Sequence, residues 1–176
     1  MEIKKNKSKI ALMGFMGSGK STLGKRLADQ MQYEFIDLDN YIENKYKKSI
    51  EVIFKEDGEK YFREIEMQAL QNFEDKKCFV LSLGGGTPCT AENLDFIQDN
   101  FFSIYLKPSL DVLLYRLQGS KKKRPLLKNL EGQELETWVR KTLKDREENY
   151  YHHADLVIHD MEMDSAIGEI IRNLYL

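Results

Sequence analysis

Residues 14–21 read G-F-M-G-S-G-K-S, and no other stretch restricts the possible folds of this chain so severely. The pattern G-x-x-x-x-G-K-[ST] is a backbone solution to holding phosphate. Gly14, Gly17 and Gly19 permit conformations that a Cβ obstructs and aim N–H groups at phosphate oxygens, while Lys20 reaches the β- and γ-phosphates and Ser21 ligates Mg²⁺. Ser18 and Thr22 complete the expected nucleotide-binding segment, residues 14–22. The motif needs a strand before it and a helix after it. The apolar run 10–13 has strand length, and Leu23, Leu27 and Met31 fall at i, i+4 and i+8, one face of a helix whose positive end would meet the phosphates. A chance glycine turn has no reason to bring both flanks with it.

The chain's size and charge limit what such a loop can serve. The 176 residues fit one domain of ordinary size, too short for a motor or a multidomain ATPase. A net charge of −2 supplies no basic field for a polyanion, and no aromatic-basic interleaving suggests a base-stacking platform, so nucleic acid is not expected as a partner. Cys78 and Cys89 have neither metal-site spacing nor a disulfide-framework pattern and read as reduced thiols of a cytoplasmic protein. Lys4, Lys5, Lys7 and Lys9 precede an apolar run too short for a targeting segment. No stretch approaches the length of a spanning helix, so no membrane partner is expected either.

Strand-like runs at 35–38, 79–83, 103–106 and 156–158 alternate with helical patterns, which predicts a doubly wound parallel α/β sheet. Pro88, Pro108 and Pro125 are the only prolines, and no repeat or interdomain linker interrupts the pattern. The segment 119–125 is the one strong break in composition and reads as a mobile loop.

Further constellations carry chemistry, each beside a plainer reading. Asp37 and Asp39 end the second strand, where i and i+2 share a side, so one could serve Mg²⁺ through water and the other a substrate hydroxyl; alternatively Asp37 only closes the strand and Asp39 caps the next helix. Glu66, three residues after Arg63, can hold its guanidinium for a ring-bearing carboxylate flanked by Phe54 and Phe62; alternatively the ions form a solvated pair and the rings are core. Gly84, Gly85 and Gly86 after an apolar strand imply a close approach, with a ligand as candidate, or else a hinge. Lys121, Lys122, Lys123 and Arg124 form either a solvated face or a closing loop whose Arg124 offsets charge on a transferred phosphoryl group. Arg146 and Tyr150 share a helical face at i, i+4.

The order and spacing of these pieces closely resemble the shikimate kinase family. The stations are G-F-M-G-S-G-K-S-T, D-L-D, S-I-x-x-I-F, G-E-x-x-F-R-x-x-E, G-G-G, R-P-L-L and R-x-x-x-Y-x-x-x-A-D, in family order from Gly14 to Asp155. The resemblance implies a P-loop NTPase-type three-layer α/β sandwich with a five-stranded parallel sheet in the order 2-3-1-4-5. It implies a single kinase domain over 1–176, with a helical substrate-binding insert at about 39–66 and a mobile lid at about 118–130. The activity implied is ATP-dependent phosphorylation of the 3-hydroxyl of shikimate in chorismate and aromatic amino acid biosynthesis, by a monomer. By position, Asp37 would hold Mg²⁺ through water and Asp39 the acceptor hydroxyl. Arg63 and Arg146 would clamp the shikimate carboxylate beside Gly84, Gly85 and Gly86, and Arg124 would reach the phosphates from the lid. Lys20, Asp39 and Arg124 are then the catalytic set. One departure concerns adenine: members often carry an arginine about seven residues before the lid arginine, whereas position 117 here is Leu117 and the nearest arginine is Arg116. Arg140, Trp138 and the pair His152 and His153 match no station and read as surface or packing residues. The other readings of the motif are a gluconate or nucleoside monophosphate kinase, which leaves the two arginines and D-x-D unexplained, and a non-catalytic nucleotide-binding module.

Overall fold

A computed structural model describes residues 7–120, 127, 130–159 and 162–175 of the chain. Its five strands are β1 (Lys9–Met13), β2 (Glu34–Asp37), β3 (Phe79–Ser82), β4 (Phe102–Leu106) and β5 (Leu156–Ile158). They pair in parallel in the order β2-β3-β1-β4-β5, as the resemblance implies. All residues of β1, β3 and β4 are buried, as befits strands covered on both faces. The period-2 alternation of side chains then sorts them between two cores. Ala11, Met13, Phe79, Leu81 and Tyr105 face one, while Ile10, Leu12, Val80, Ile104 and Leu106 face the other.

The second face is covered by α1 (Lys20–Met31) and α8 (Met163–Tyr175). Leu23 and Leu27 do pack on the sheet, and Met31 lies partly buried beside them. Close approach of α1 to the sheet depends on Gly24, where a Cβ would stand 2.6 Å from the Phe35 ring and 2.9 Å from Leu12. The first face is covered by α2 (Leu38–Tyr46), α3 (Ile50–Glu56), α4 (Gly58–Gln71) and α5 (Ala91–Asn100). A third apolar cluster lies between α6 (Leu110–Ser120) and α7 (Gly132–His152), and takes in Phe15 from the glycine-rich loop. Asp155 ties β4 to β5, its Oδ2 accepting from Ser103 N at 2.8 Å and Ser103 Oγ at 2.9 Å.

Three boundaries differ from the sequence reading. β2 stops at Asp37, because the Asp37 carboxylate accepts from Asn40 N at 3.2 Å and starts α2 one residue later. Asp39 is therefore in the first turn of α2 rather than on the strand, and the aspartate that caps the helix is Asp37. The strand read at 79–83 ends as β3 at Ser82, one residue before Leu83. Gly119 and Ser120 close α6 instead of beginning a loop. Most of the predicted lid, including Arg124, lies outside the described residues.

Candidate active site

Open parallel α/β sheets bind ligands beyond the carboxyl ends of their strands. Here that edge carries a cleft of about 510 Å³ lined by Lys20, Ser21, Asp37, Asp39, Ser82 and Gly85, among others. Gly17, Gly19 and Thr22 also line it. The residues named for phosphate, metal and acceptor chemistry thus open onto one space.

On one side stands the glycine loop. Gly14 has φ 141°, and a Cβ there would lie 2.7 Å from Leu106 O. Gly19, at φ 101°, is the N-cap of α1 and supplies no side-chain cap, so the positive end of α1 stands at the cleft edge. Lys20 Nζ donates to Gly14 O at 2.7 Å and Phe15 O at 3.1 Å, which curls the loop around the ammonium. Among the described residues, the buried Ser18 Oγ has no hydrogen-bond partner, a costly state that an anionic ligand would relieve. Ser21 Oγ donates to Asp37 Oδ2 at 2.9 Å and lies 3.4 Å from Ser82 Oγ. Hydroxyl and carboxylate oxygens of this kind suit Mg²⁺, which takes few protein ligands and completes its shell from phosphates and water.

Across the cleft, the triple glycine holds three charged side chains from three helices against one stretch of backbone. A Cβ on Gly84 would stand 2.7 Å from Asp39 Oδ1 and 2.9 Å from Thr87 Oγ1, and one on Gly86 would stand 2.7 Å from Arg63 Nη2. Gly85 O accepts from Arg146 Nη1 at 3.2 Å and from the Tyr150 hydroxyl. The close approach inferred from the glycines is thus an approach to the protein's own side chains. None of the three has a left-handed φ, so space rather than backbone freedom demands them.

Arg63 and Glu66 are not a solvated pair. Arg63 Nη1 donates to Glu66 Oε2 at 2.5 Å, and Glu66 is 1% exposed, with Oε1 accepting from Thr87 Oγ1 at 2.6 Å. Glu59, one turn earlier on α4, accepts from Arg63 Nη2 at 3.0 Å. The guanidinium is thereby aimed at Gly86 and lies over the Phe62 ring, 5.3 Å from its centroid. Phe62 itself is core, so it supports the arginine and Phe54 from beneath instead of lining the cleft. Phe54, 4.7 Å from it between ring centroids, keeps an exposed face.

Burial pushes the Asp39 carboxyl up to about 6, with the charges of Asp37 and Glu66 adding to the rise and Lys20 opposing it. Burial also raises Glu66, against the pull of Arg63 and Thr87. The opposition of Lys20 places ammonium and carboxylate within each other's field.

Sequence reasoning passes over Ser82 and Thr87, and names Tyr150 and Arg116 without the backbone contacts they make. Ser82 has a visible signal, a hydroxyl at the carboxyl end of an otherwise apolar strand. Arg116 has none in sequence: it reaches the glycine loop only through the packing of α6, donating to Gly17 O and Ser18 O.

Against known proteins, the family model for shikimate kinase matches residues 16–175. The shikimate kinase of Flavobacterium psychrophilum is 44% identical over 171 residues, covering 95% of this chain and 99% of the relative. The crystal structure of shikimate kinase from Bacteroides thetaiotaomicron superposes with a TM-score of 0.89 at 34% identity, over 96% of this chain and 98% of that one. The shikimate kinase from Acinetobacter baumannii, solved in complex with shikimate, superposes with a TM-score of 0.85 at 32% identity, over 96% and 93% of the two chains.

The raised Asp39 carboxyl has a thermodynamic signature. Because the folded state holds this proton up to about pH 6 while an unfolded aspartate has lost it by roughly pH 4, stability falls as pH rises through that window. Asp39→Asn removes the titration and should stabilise the fold above pH 6, by up to about 3 kcal/mol. The gain should vanish near pH 4. Urea unfolding of both proteins across that range checks it, and an equal difference at all pH values would contradict it.

Proposed function

Because the chain belongs to the shikimate kinase family, we propose that this cleft is where the γ-phosphoryl group of ATP is transferred to the 3-hydroxyl of shikimate. The product is shikimate 3-phosphate, in chorismate and aromatic amino acid biosynthesis. The observation that carries the reading is the shared cleft: Lys20, Ser21 and Asp37 line the same space as Asp39 and Gly85, against which Arg146 is held.

Residues 17–22 bind the triphosphate through oriented N–H groups, the Lys20 ammonium and the Ser18 and Thr22 hydroxyls. Ser21 directly and Asp37 through water hold Mg²⁺, which when bound neutralises phosphate charge. Arg63 and Arg146 take the shikimate carboxylate, with the backbone of Gly84, Gly85 and Gly86 between them and Phe54 against the carbon ring. That anchoring brings the acceptor hydroxyl to Asp39. As the hydroxyl oxygen bonds to the γ-phosphorus and the bond to the ADP oxygen breaks, the hydroxyl proton passes to the Asp39 carboxylate. Such transfers have a loose transition state, so alignment of the acceptor weighs more than base strength. Lys20 offsets charge on the migrating group, and Arg124, outside the described residues, is given the same role from the lid at about 118–130. The helices α2, α3 and α4 correspond to the substrate-binding insert. We read the protein as a cytoplasmic monomer acting on diffusible ATP and shikimate; among the described residues no helix is long and apolar enough to cross a membrane.

The direct test is ADP release from Mg²⁺–ATP, which should require shikimate and should not respond to gluconate or nucleoside monophosphates. ATP binding without shikimate-dependent turnover would reduce the protein to a nucleotide-binding module. Arg63→Ala should raise KM for shikimate roughly 10- to 100-fold, the value of a charge-assisted pair, and leave KM for ATP within about twofold. Equal losses for both substrates would remove the carboxylate clamp. Since Asp39 must be ionised to accept the proton and its free-enzyme value is about 6, kcat/KM for shikimate should fall about tenfold per pH unit below that point and level off above it. A profile flat to pH 5 would exclude Asp39 from that role.

A further inference from the structure

The glycine loop is held by α6 as well as shaped by its own sequence. Arg116 Nη1, on α6, donates to Gly17 O and Ser18 O, both at 3.2 Å. Its neighbour Leu117 lies against Gly17, where a Cβ would stand 3.1 Å from Leu117 Cδ2. Phe15 and Met16, from the same loop, pack into the apolar cluster between α6 and α7. No role described above uses these contacts.

Their consequence follows from peptide geometry. The C=O and N–H of a trans peptide point in opposite directions. A guanidinium fixing the Ser18 carbonyl therefore turns the Gly19 N–H to the side of the loop away from Arg116. Fixing the Gly17 carbonyl likewise keeps the Ser18 N–H on its 3.1 Å bond to Phe15 O, which closes the turn. One side chain thus sets two successive peptide planes. A loop that binds anions through aligned N–H groups gains affinity when the alignment exists before the anion arrives, because less ordering is left to do on binding.

We propose that Arg116 is a positioning residue of the phosphate loop, holding the Gly17–Ser18 and Ser18–Gly19 peptides in the orientation that receives the triphosphate. The proposal rests on the reading of the loop as a triphosphate cradle. Its rival is direct contact with nucleotide, since Arg116 also lines the main cleft and a neighbouring pocket of about 60 Å³.

The test compares wild type, Arg116→Met and Arg116→Lys for affinity to Mg²⁺–tripolyphosphate, ATP and shikimate, and for amide hydrogen exchange at residues 17–20 without ligand. Two lost hydrogen bonds at a solvated position should weaken tripolyphosphate about fivefold in Arg116→Met, weaken ATP by the same factor, and accelerate exchange at Ser18, whose N–H is bonded to Phe15 O, comparably. Shikimate affinity should not move, and Arg116→Lys, able to hold one carbonyl, should recover part of the loss. A loss confined to ATP makes Arg116 a base contact and overturns the proposal. So do equal losses with unaltered exchange, which mark a direct phosphate contact, and so does no loss at all. If Arg116→Met fails to fold, seen as loss of shikimate binding, the lysine variant decides by the same criteria. Failure of the wild type to bind tripolyphosphate would sink the cradle reading itself, a result separable from all of these.

Discussion

The pairing of β1 with β3 governs the site. Leu12 lies opposite Ser82, and Leu83 N donates to Leu12 O at 3.1 Å, so the chain leaves both strands at the same level of the sheet. The two glycine-rich segments that follow must therefore run side by side. A Cβ on Gly85 would come within 3.6 Å of Met16 N, which places the phosphate loop and the triple glycine in contact. A register slip of one residue would separate them and would also reverse which side chains face each core. The proposed donor and acceptor sites are neighbours because two buried strands are in register.

Charge within that frame is arranged against its own stability. Asp37, Asp39 and Glu66 converge on one region, and only part of their repulsion is offset by Lys20 and Arg63. The fold tolerates this because two of the carboxylates also serve it locally. Asp37 starts α2 and accepts from Ser21, and Glu66 bridges Arg63 to Thr87. Asp39 is the one held chiefly by its surroundings. Its elevated proton affinity is what the proposed proton-accepting role requires.

Much of this arrangement is legible in the sequence, for reasons that differ by element. The strands can be read because β1, β3 and β4 are largely apolar, and α1 because its apolar face repeats at helical spacing. The roles of Gly84 and Gly86 can be read only as a need for space; what fills it comes from α2 and α4, far away in sequence. Alternation misplaces Asp39 because Asp37 has two uses, strand end and helix cap, and the cap prevails before the strand pattern runs out. Glu66 and Arg63 can be paired from their spacing, but their burial cannot be foreseen, since it depends on Thr87 arriving from the turn after β3. The hold of Arg116 on the glycine loop is invisible because its partners are backbone carbonyls, which carry no signature in sequence.

The crowding around the triple glycine also bears on how such a chain can diverge. A side chain at Gly84 or Gly86 would have to displace Asp39 or Arg63, whereas a Cβ on Gly85 would meet Arg146 only at 3.6 Å. Inheritance can therefore vary the middle residue and the outer faces of α3 and α4 more freely than the two flanking positions. A lineage adopting a differently shaped acceptor would have to look beyond the two flanking glycines, which cannot change without moving Asp39 or Arg63.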